Sequence, residues 1–237
     1  MKFLLFFLSL FSFSSWGFIQ VNPVRIILKD STFGHFTVRN TQGHPVEVKI
    51  TNKFFQQDKN REMKPGPGGT EEIEKVIFSP ANFTIPPGDK QVVRFFIKDK
   101  FQEKEKRTYA HLLTEVKDDN IDKSKMMVLT PNVAIAIPIL FRKNTILDNI
   151  EIRDLKLTQQ DKNCVLSMEW SNKSHSSYIN IDLLDANEKI ISQLNGVSNY
   201  LDKLEWLQSF SDTNCNLIKK IKVFDVDNNI HVYSRDF

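Results

Sequence analysis

Five histidines, at positions 35, 44, 111, 175 and 231, and two cysteines, Cys164 and Cys215, are the residues best suited to metal or nucleophilic chemistry. Their spacing argues against both. A metal site needs ligands at short separations, and a catalytic thiol needs a partnered base; here the histidines are scattered and neither cysteine has an obvious histidine. There is no Gly-x-Ser-x-Gly, no His-Glu-x-x-His and no glycine-rich phosphate loop. Asp118 and Asp119 lie in a polar stretch, and Asp225 and Asp227 border the turn formers Asn228 and Asn229, so both pairs read as solvated acids. His111, within YAHLLTEV, reads as a structural histidine. The expectation is a protein without catalysis, cofactor or metal. An enzyme assembled from dispersed residues is the remaining chemical alternative.

What is left is binding chemistry, and residues 127–141, MVLTPNVAIAIPILF, carry it. Read with period two, Leu129, Pro131, Val133, Ile135, Ile137 and Ile139 share one face, while Thr130, Asn132, Ala134, Ala136 and Pro138 fall on the other. A row of branched residues faces a row of mostly small ones. Pro131 and Pro138 cannot donate to a ladder and mark an edge strand, which is an aggregation liability unless it is covered or used. Arg25 is a second oddity, a cation inside the apolar run VRIIL. A guanidinium fork beside a row of aliphatic knobs suits an extended peptide whose backbone pairs with the strand and whose terminal carboxylate is gripped.

The elements that must position these residues are strands throughout. Residues 1–17, one lysine followed by an apolar run and then small residues, read as a secretory signal peptide cut after Gly17; the run is too short for a bilayer core of about 30 Å. An uncleaved anchor or a shifted cut are the alternatives. No other stretch is long and apolar enough to span a membrane, so no stable membrane insertion is expected. From Phe18 onward come FIQVNPVRIILKD as a first strand, GHFTVRNTQ and PVEVKITNKFF. A break rich in proline and glycine follows at residues 56–74, read as an exposed loop. Then come KVIFSP and NFTIPPGDKQVVRFFIKD, the latter pair turning at Pro86, Pro87 and Gly88, and then YAHLLTEV. Short strands without helical crossovers indicate an antiparallel sandwich. Alternation stops at residues 142–148 and a second strand series begins, ending in a hairpin around Asp227, Asn228 and Asn229. NYLDKLEWLQSF within it fits a strand or a short helix. The fold expectation is all-β, with two immunoglobulin-like sandwiches in tandem at residues 18–143 and 149–237.

Charge excludes one class of partner. The net charge is +3, with 32 basic and 29 acidic residues that are largely interleaved, and nucleic acid is not expected because a phosphate backbone calls for a concentrated positive field. In an exported chain the even pair Cys164 and Cys215 reads as a disulfide, with free thiols as the alternative.

Several motifs in order resemble the periplasmic pilus-assembly chaperones of the chaperone-usher pathway. They are the signal peptide, Val24-Arg25-Ile26-Ile27-Leu28, Val76-Ile77-Phe78-Ser79-Pro80, and Pro86-Pro87-Gly88-Asp89-Lys90-Gln91-Val92-Val93-Arg94. Tyr109-Ala110-His111-Leu112-Leu113-Thr114-Glu115-Val116 and the closing strand 133–142 complete the set. The likeness covers residues 18 to about 143, and residues 109–113 look closest to divergent, archaic-like branches; over the second half it rests on length, strand content and the terminal hairpin. That family is a known instance of both the sandwich architecture and strand addition.

The resemblance implies a periplasmic chaperone that lends its closing strand to pilin or fibre subunits lacking one, until an outer-membrane usher exchanges it for the next subunit. The lent row would be Leu129, Val133, Ile135, Ile137 and Ile139. Arg25 matches the arginine that grips the subunit's terminal carboxylate. Pro138 stands where the family carries a second cleft lysine, which leaves Arg142 or Lys143 to assist Arg25, or a different anchorage in this branch. Arg94 matches an arginine that ties the domains together through acids, here Glu105 with Asp225 or Asp227. An exposed row also leaves self-capping as a homodimer open. The alternative from another class is a secreted adhesin-like or matrix sandwich that self-associates through its exposed edge strand.

Overall fold

Val46, Val48 and Ile50 are buried while Glu47 and Lys49 between them are not, and the same alternation recurs from strand to strand. It gives each sheet one apolar face to bury, and two sheets facing each other do so. The computed structural model describes residues 19–66, 76–98, 105–116, 133–142, 149–173 and 175–237. In order come β1 (Ile19–Asn22), β2 (Ile26–Lys29), β3 (Phe33–Asn40), β4 (Val46–Lys53), β5 (Phe55–Gln57) and β6 (Met63–Pro65). Next are β7 (Val76–Ser79), β8 (Asn82–Ile85), β9 (Lys90–Ile97), β10 (Lys106–Val116) and β11 (Val133–Arg142). The first sandwich packs the sheet β1-β3-β9-β7 against β2-β11-β10-β4-β8. Phe36, Val93, Phe95, Leu112, Ile137 and Ile139 lie in the core between them.

The second series is β12 (Ile150–Gln160), β13 (Asn163–Asn172), β14 (Ser177–Leu184), β15 (Ile190–Asn199), β16 (Lys203–Phe210), β17 (Lys220–Asp225) and β18 (Ile230–Asp236). It forms the sheets β12-β13-β16 and β15-β14-β17-β18 around a separate core containing Leu155, Leu166, Trp170, Ile181, Trp206 and Val223. The architecture is two immunoglobulin-like sandwiches in tandem, all β apart from a short 3-10 turn at Cys215–Leu217 among the described residues. Cys164 at the start of β13 is bonded to Cys215, at a sequence separation of 51 and with Cα atoms 5.0 Å apart. Gly88 takes φ +77° at the expected turn, a conformation glycine adopts without penalty, and Asn229 takes φ +54° in the last hairpin.

Four local expectations change. The stretch 18–30 is two strands in different sheets, β1 pairing with β3 and β2 with β11, and Arg25 sits in the bend between them. The break after β4 holds a hairpin, Phe55 opposite Pro65, so Pro65 closes an element instead of excluding one; β6 is an outer strand, where a missing N–H is tolerated. The segment open to helix or strand is the strand β16, its Leu204 and Trp206 buried at period two. Finally, β11 is only partly an edge. It pairs with β10 from Val133 to Phe141, while β2 runs parallel to it from Ile139 to Arg142 only. The signal segment, Leu129, Lys143 and the rest of the seam through residue 148 lie outside the described residues, whereas Arg142 at its start closes β11.

Candidate functional site

Two regions combine accessible backbone, apolar side chains and charge: the uncovered part of β11, and the junction between the sandwiches. Along β11, Val133 and Ile135 are half-buried and Ala134 and Ala136 exposed. Over Val133 to Pro138 no described strand pairs with the side of β11 away from β10. Pro138 is the last residue before β2 covers that side. The expected row is shorter than its sequence pattern, because Ile137 and Ile139 are each 1% exposed within the chain's own core. A side chain needed to fill the first sandwich is not free to fill another protein. These two anchor the strand, and the segment ahead of them carries the open edge.

At the junction, Asp227 from the β17–β18 turn accepts from two arginines of the first sandwich. Arg25 Nη2 lies 2.9 Å and Arg142 Nη2 3.0 Å from its Oδ2. Arg142 Nε also donates to Glu105 Oε2 at 2.6 Å, and its Nη2 to the Ser176 carbonyl at 2.9 Å. Glu105 Oε1 in turn accepts from the Ser176 hydroxyl at 2.6 Å and from its N–H at 3.2 Å. Side-chain exposures of 2% for Arg142, 5% for Asp227, 7% for Glu105 and 9% for Arg25 place the cluster out of bulk water. Two cations face two acids there, which suits burial of charge. Arg25 Nη1 also donates to the Tyr200 hydroxyl at 3.0 Å, and its guanidinium stacks 5.1 Å from the Tyr178 ring centre.

The cluster redistributes the expected roles. Arg94 is exposed on β9 between His35 and Ser79, and the acids expected to hold it bind Arg142 and Arg25 instead. Arg142, expected as a carboxylate anchor, is the residue that ties Glu105 to Asp227. Asp225 is buried, but accepts from the Asp227 and Asn228 N–H groups and the Asn228 side chain, so it shapes the turn that presents Asp227. Its burial raises its pKa above the ordinary carboxylate value.

Sequence reasoning passed over the neighbours of the cluster. A cavity of about 280 Å³ beside it is lined by Phe54, Arg107, His175, Ser176, Tyr200 and Leu201, among others. Arg107 lies 4.3 Å over the Tyr200 ring and has no carboxylate partner among the described residues. His175 is held at a pKa of about 4, first by burial and then by the Arg142 charge, so it is neutral in the folded chain. An apolar pattern could not have found these residues, since what unites them is the contact between two sandwiches far apart in sequence.

Comparison with known proteins adds the following. The family model for pili and flagellar-assembly chaperones, PapD N-terminal domain, matches residues 18–146. Among solved structures, the Pseudomonas aeruginosa CupB2 chaperone is 11% identical and aligns with a TM-score of 0.50 over 92% of this chain and 98% of its own. The YadV chaperone gives 0.49 at 11% identity over 93% and 100%. A chain of the Salmonella enterica SafA pilin and SafB chaperone complex gives 0.48 at 11% identity over 92% and 95%. At such identities the CupB2 match speaks for the fold alone. No curated protein matches the chain.

Proposed function

The chain belongs to the pili and flagellar-assembly chaperone family, and from that membership we propose that it caps exported fibre subunits by lending them β11. In this reading a subunit that lacks a strand pairs its groove with the open side of β11, and an outer-membrane usher then exchanges β11 for the next subunit. The site of action is the periplasm, reached through a cleaved signal segment at residues 1–17.

The observation that carries the reading is the half-covered β11. Its second half is fixed by Ile137 and Ile139 in the core and by the parallel ladder to β2. Its first half keeps an unpaired side from Val133 to Pro138 among the described residues. Strand addition needs that combination, since main-chain hydrogen bonds supply affinity and alternate side chains supply specificity. The lent side chains are Val133 and Ile135, continued by Leu129. Each contributes about 1.5–3 kcal/mol when an aliphatic side chain leaves water completely.

Anchorage of the subunit's terminal carboxylate follows from charge. Arg25 and Arg142 both bind Asp227, so either can grip a second carboxylate only by releasing Asp227 or sharing its donors. Arg107, stacked on Tyr200 in the lining of the cavity, has no such competitor among the described residues and is the cation we assign to that carboxylate together with Arg25.

Hydrogen exchange on the chain with and without a co-expressed subunit tests the reading. Amides of residues 133–137 should gain protection in the complex while those of β14 and β17 stay as they were. Protection confined to the second sandwich would contradict it.

A further inference from the structure

The stretch between β4 and β7 contributes the hairpin β5–β6, and this hairpin touches both sandwiches. Its base is fixed to the first: the Phe55 ring meets Tyr109 edge-on at 5.1 Å and lies 6.2 Å from His111. Its tip is preorganised by Asp58, whose Oδ1 accepts from the N–H groups of Asn60 and Glu62, each at 2.9 Å. Gly66 N–H donates to the Phe54 carbonyl at 3.0 Å and closes the open end. A hairpin held at base and tip moves as one body.

Its other contacts are on the second sandwich. Gln57 is 8% exposed, and its amide makes two hydrogen bonds across the junction. Oε1 accepts from the Tyr200 N–H at 2.9 Å, and Nε2 donates to the Ser198 carbonyl at 3.3 Å. One side chain thus offers the end of β15 the donor and acceptor that a neighbouring strand would. Farther along, the Arg61 guanidinium lies 5.4 Å over the ring of Trp206, which is 2% exposed in the second core.

We propose that β5–β6 is a strap that latches the second sandwich to the first, setting the angle between them in addition to the buried ion cluster. The chemistry of the two latches differs. The cluster at Asp227 is held by buried pairs of opposite charge. The strap uses a neutral amide and an arginine over a ring. Exclusion from water strengthens both strap contacts, since an amide pair and a cation over a ring each gain when desolvated. The strap also bears on the cavity, because Phe54 at its base lines it together with Tyr200 and Leu201 of the second sandwich. Release of the strap frees the second sandwich to pivot on the ion cluster and opens that cavity.

The test needs no subunit, so its outcome is independent of strand lending. Hydrogen exchange on the full chain reads the Tyr200 amide directly, and spin labels on exposed sites of the two sandwiches read their separation. In Gln57→Ala the Tyr200 amide should exchange at least tenfold faster and the distance distribution should broaden, with core amides of β4 and β13 unchanged. Arg61→Ala should broaden the distribution without disturbing either core, and combining it with Gln57→Ala should broaden it further. If Gln57→Ala unfolds a core, Arg61→Ala alone decides the matter by the same distances. Unchanged distances in Arg61→Ala, or in a folded double variant, would overturn the strap.

Discussion

Asp227 Oδ2 accepts from Arg25 Nη2 at 2.9 Å and from Arg142 Nη2 at 3.0 Å, so a single carboxylate oxygen of the second sandwich holds two arginines of the first. With Glu105 on the other side of Arg142, the charges balance. The arrangement makes Asp227 the point at which the junction is most easily broken.

Asp227→Asn should therefore destabilise the docked chain by about 3–5 kcal/mol, the usual effect of removing one partner from a buried pair. Thermal unfolding and the separation of the sandwiches report it. Arg94→Ala, at an exposed site outside the cluster, should change stability by no more than about 0.5 kcal/mol.

The disulfide gives a prediction confined to one sandwich. Reading residues 18–143 and 149–237 as separate domains, Cys164→Ala with Cys215→Ala should lower the second transition by about 2–5 kcal/mol. The first transition, followed by exchange at β4 and β10 amides, should stay in place. Equal loss in both would mean that the two cores unfold as one unit.

His175 supplies a pH dependence whose sign is fixed. Its folded pKa, about 4, lies below the unfolded value near 6.5, so the unfolded chain binds the proton first. The histidine's contribution is fully present above pH 6.5 and is lost as pH falls toward 4, by at most about 3 kcal/mol. His175→Gln should flatten the slope of stability against pH between 6.5 and 4 relative to the unsubstituted chain. An unchanged slope would show that the site hydrates before the ring charges.

Arg107→Gln tests the anchor. Binding of a subunit with an intact carboxyl terminus should weaken by about tenfold or more, the loss of a charge-assisted contact. A subunit whose terminus is amidated should bind both forms alike.

The sequence made much of this legible, and the limits have a physical pattern. Alternation in β4, β13 and β17 is local, so strand existence and the all-β class followed from it. Which strand lies beside which is not local. That β2 covers β11 beyond Pro138 depends on the chain crossing between sheets at Arg25, and nothing in VRIIL announces the crossing. The facing of two sheets, equally non-local, moves Ile137 and Ile139 from an exposed row into the core. Arg94 and Arg142 show the limit at the level of charge: both are arginines at strand positions, and only the packing of a second sandwich decides which one meets Glu105 and Asp227. Gln57 gave no signal, because a glutamine in a polar stretch looks like surface until the backbone it pairs with is in view.

The central claim is that the open side of β11, with Ile135 at its centre, receives the subunit. It is tested most directly by co-purification of the exported chain with co-expressed fibre subunits, comparing the unsubstituted chain, Ile135→Asp, and Ile77→Asp on the outer face of the other sheet. Ile135→Asp should lose the subunit while keeping the circular dichroism of the folded chain, and Ile77→Asp should retain it. A folded Ile135→Asp chain that brings down as much subunit as the unsubstituted one would contradict the account.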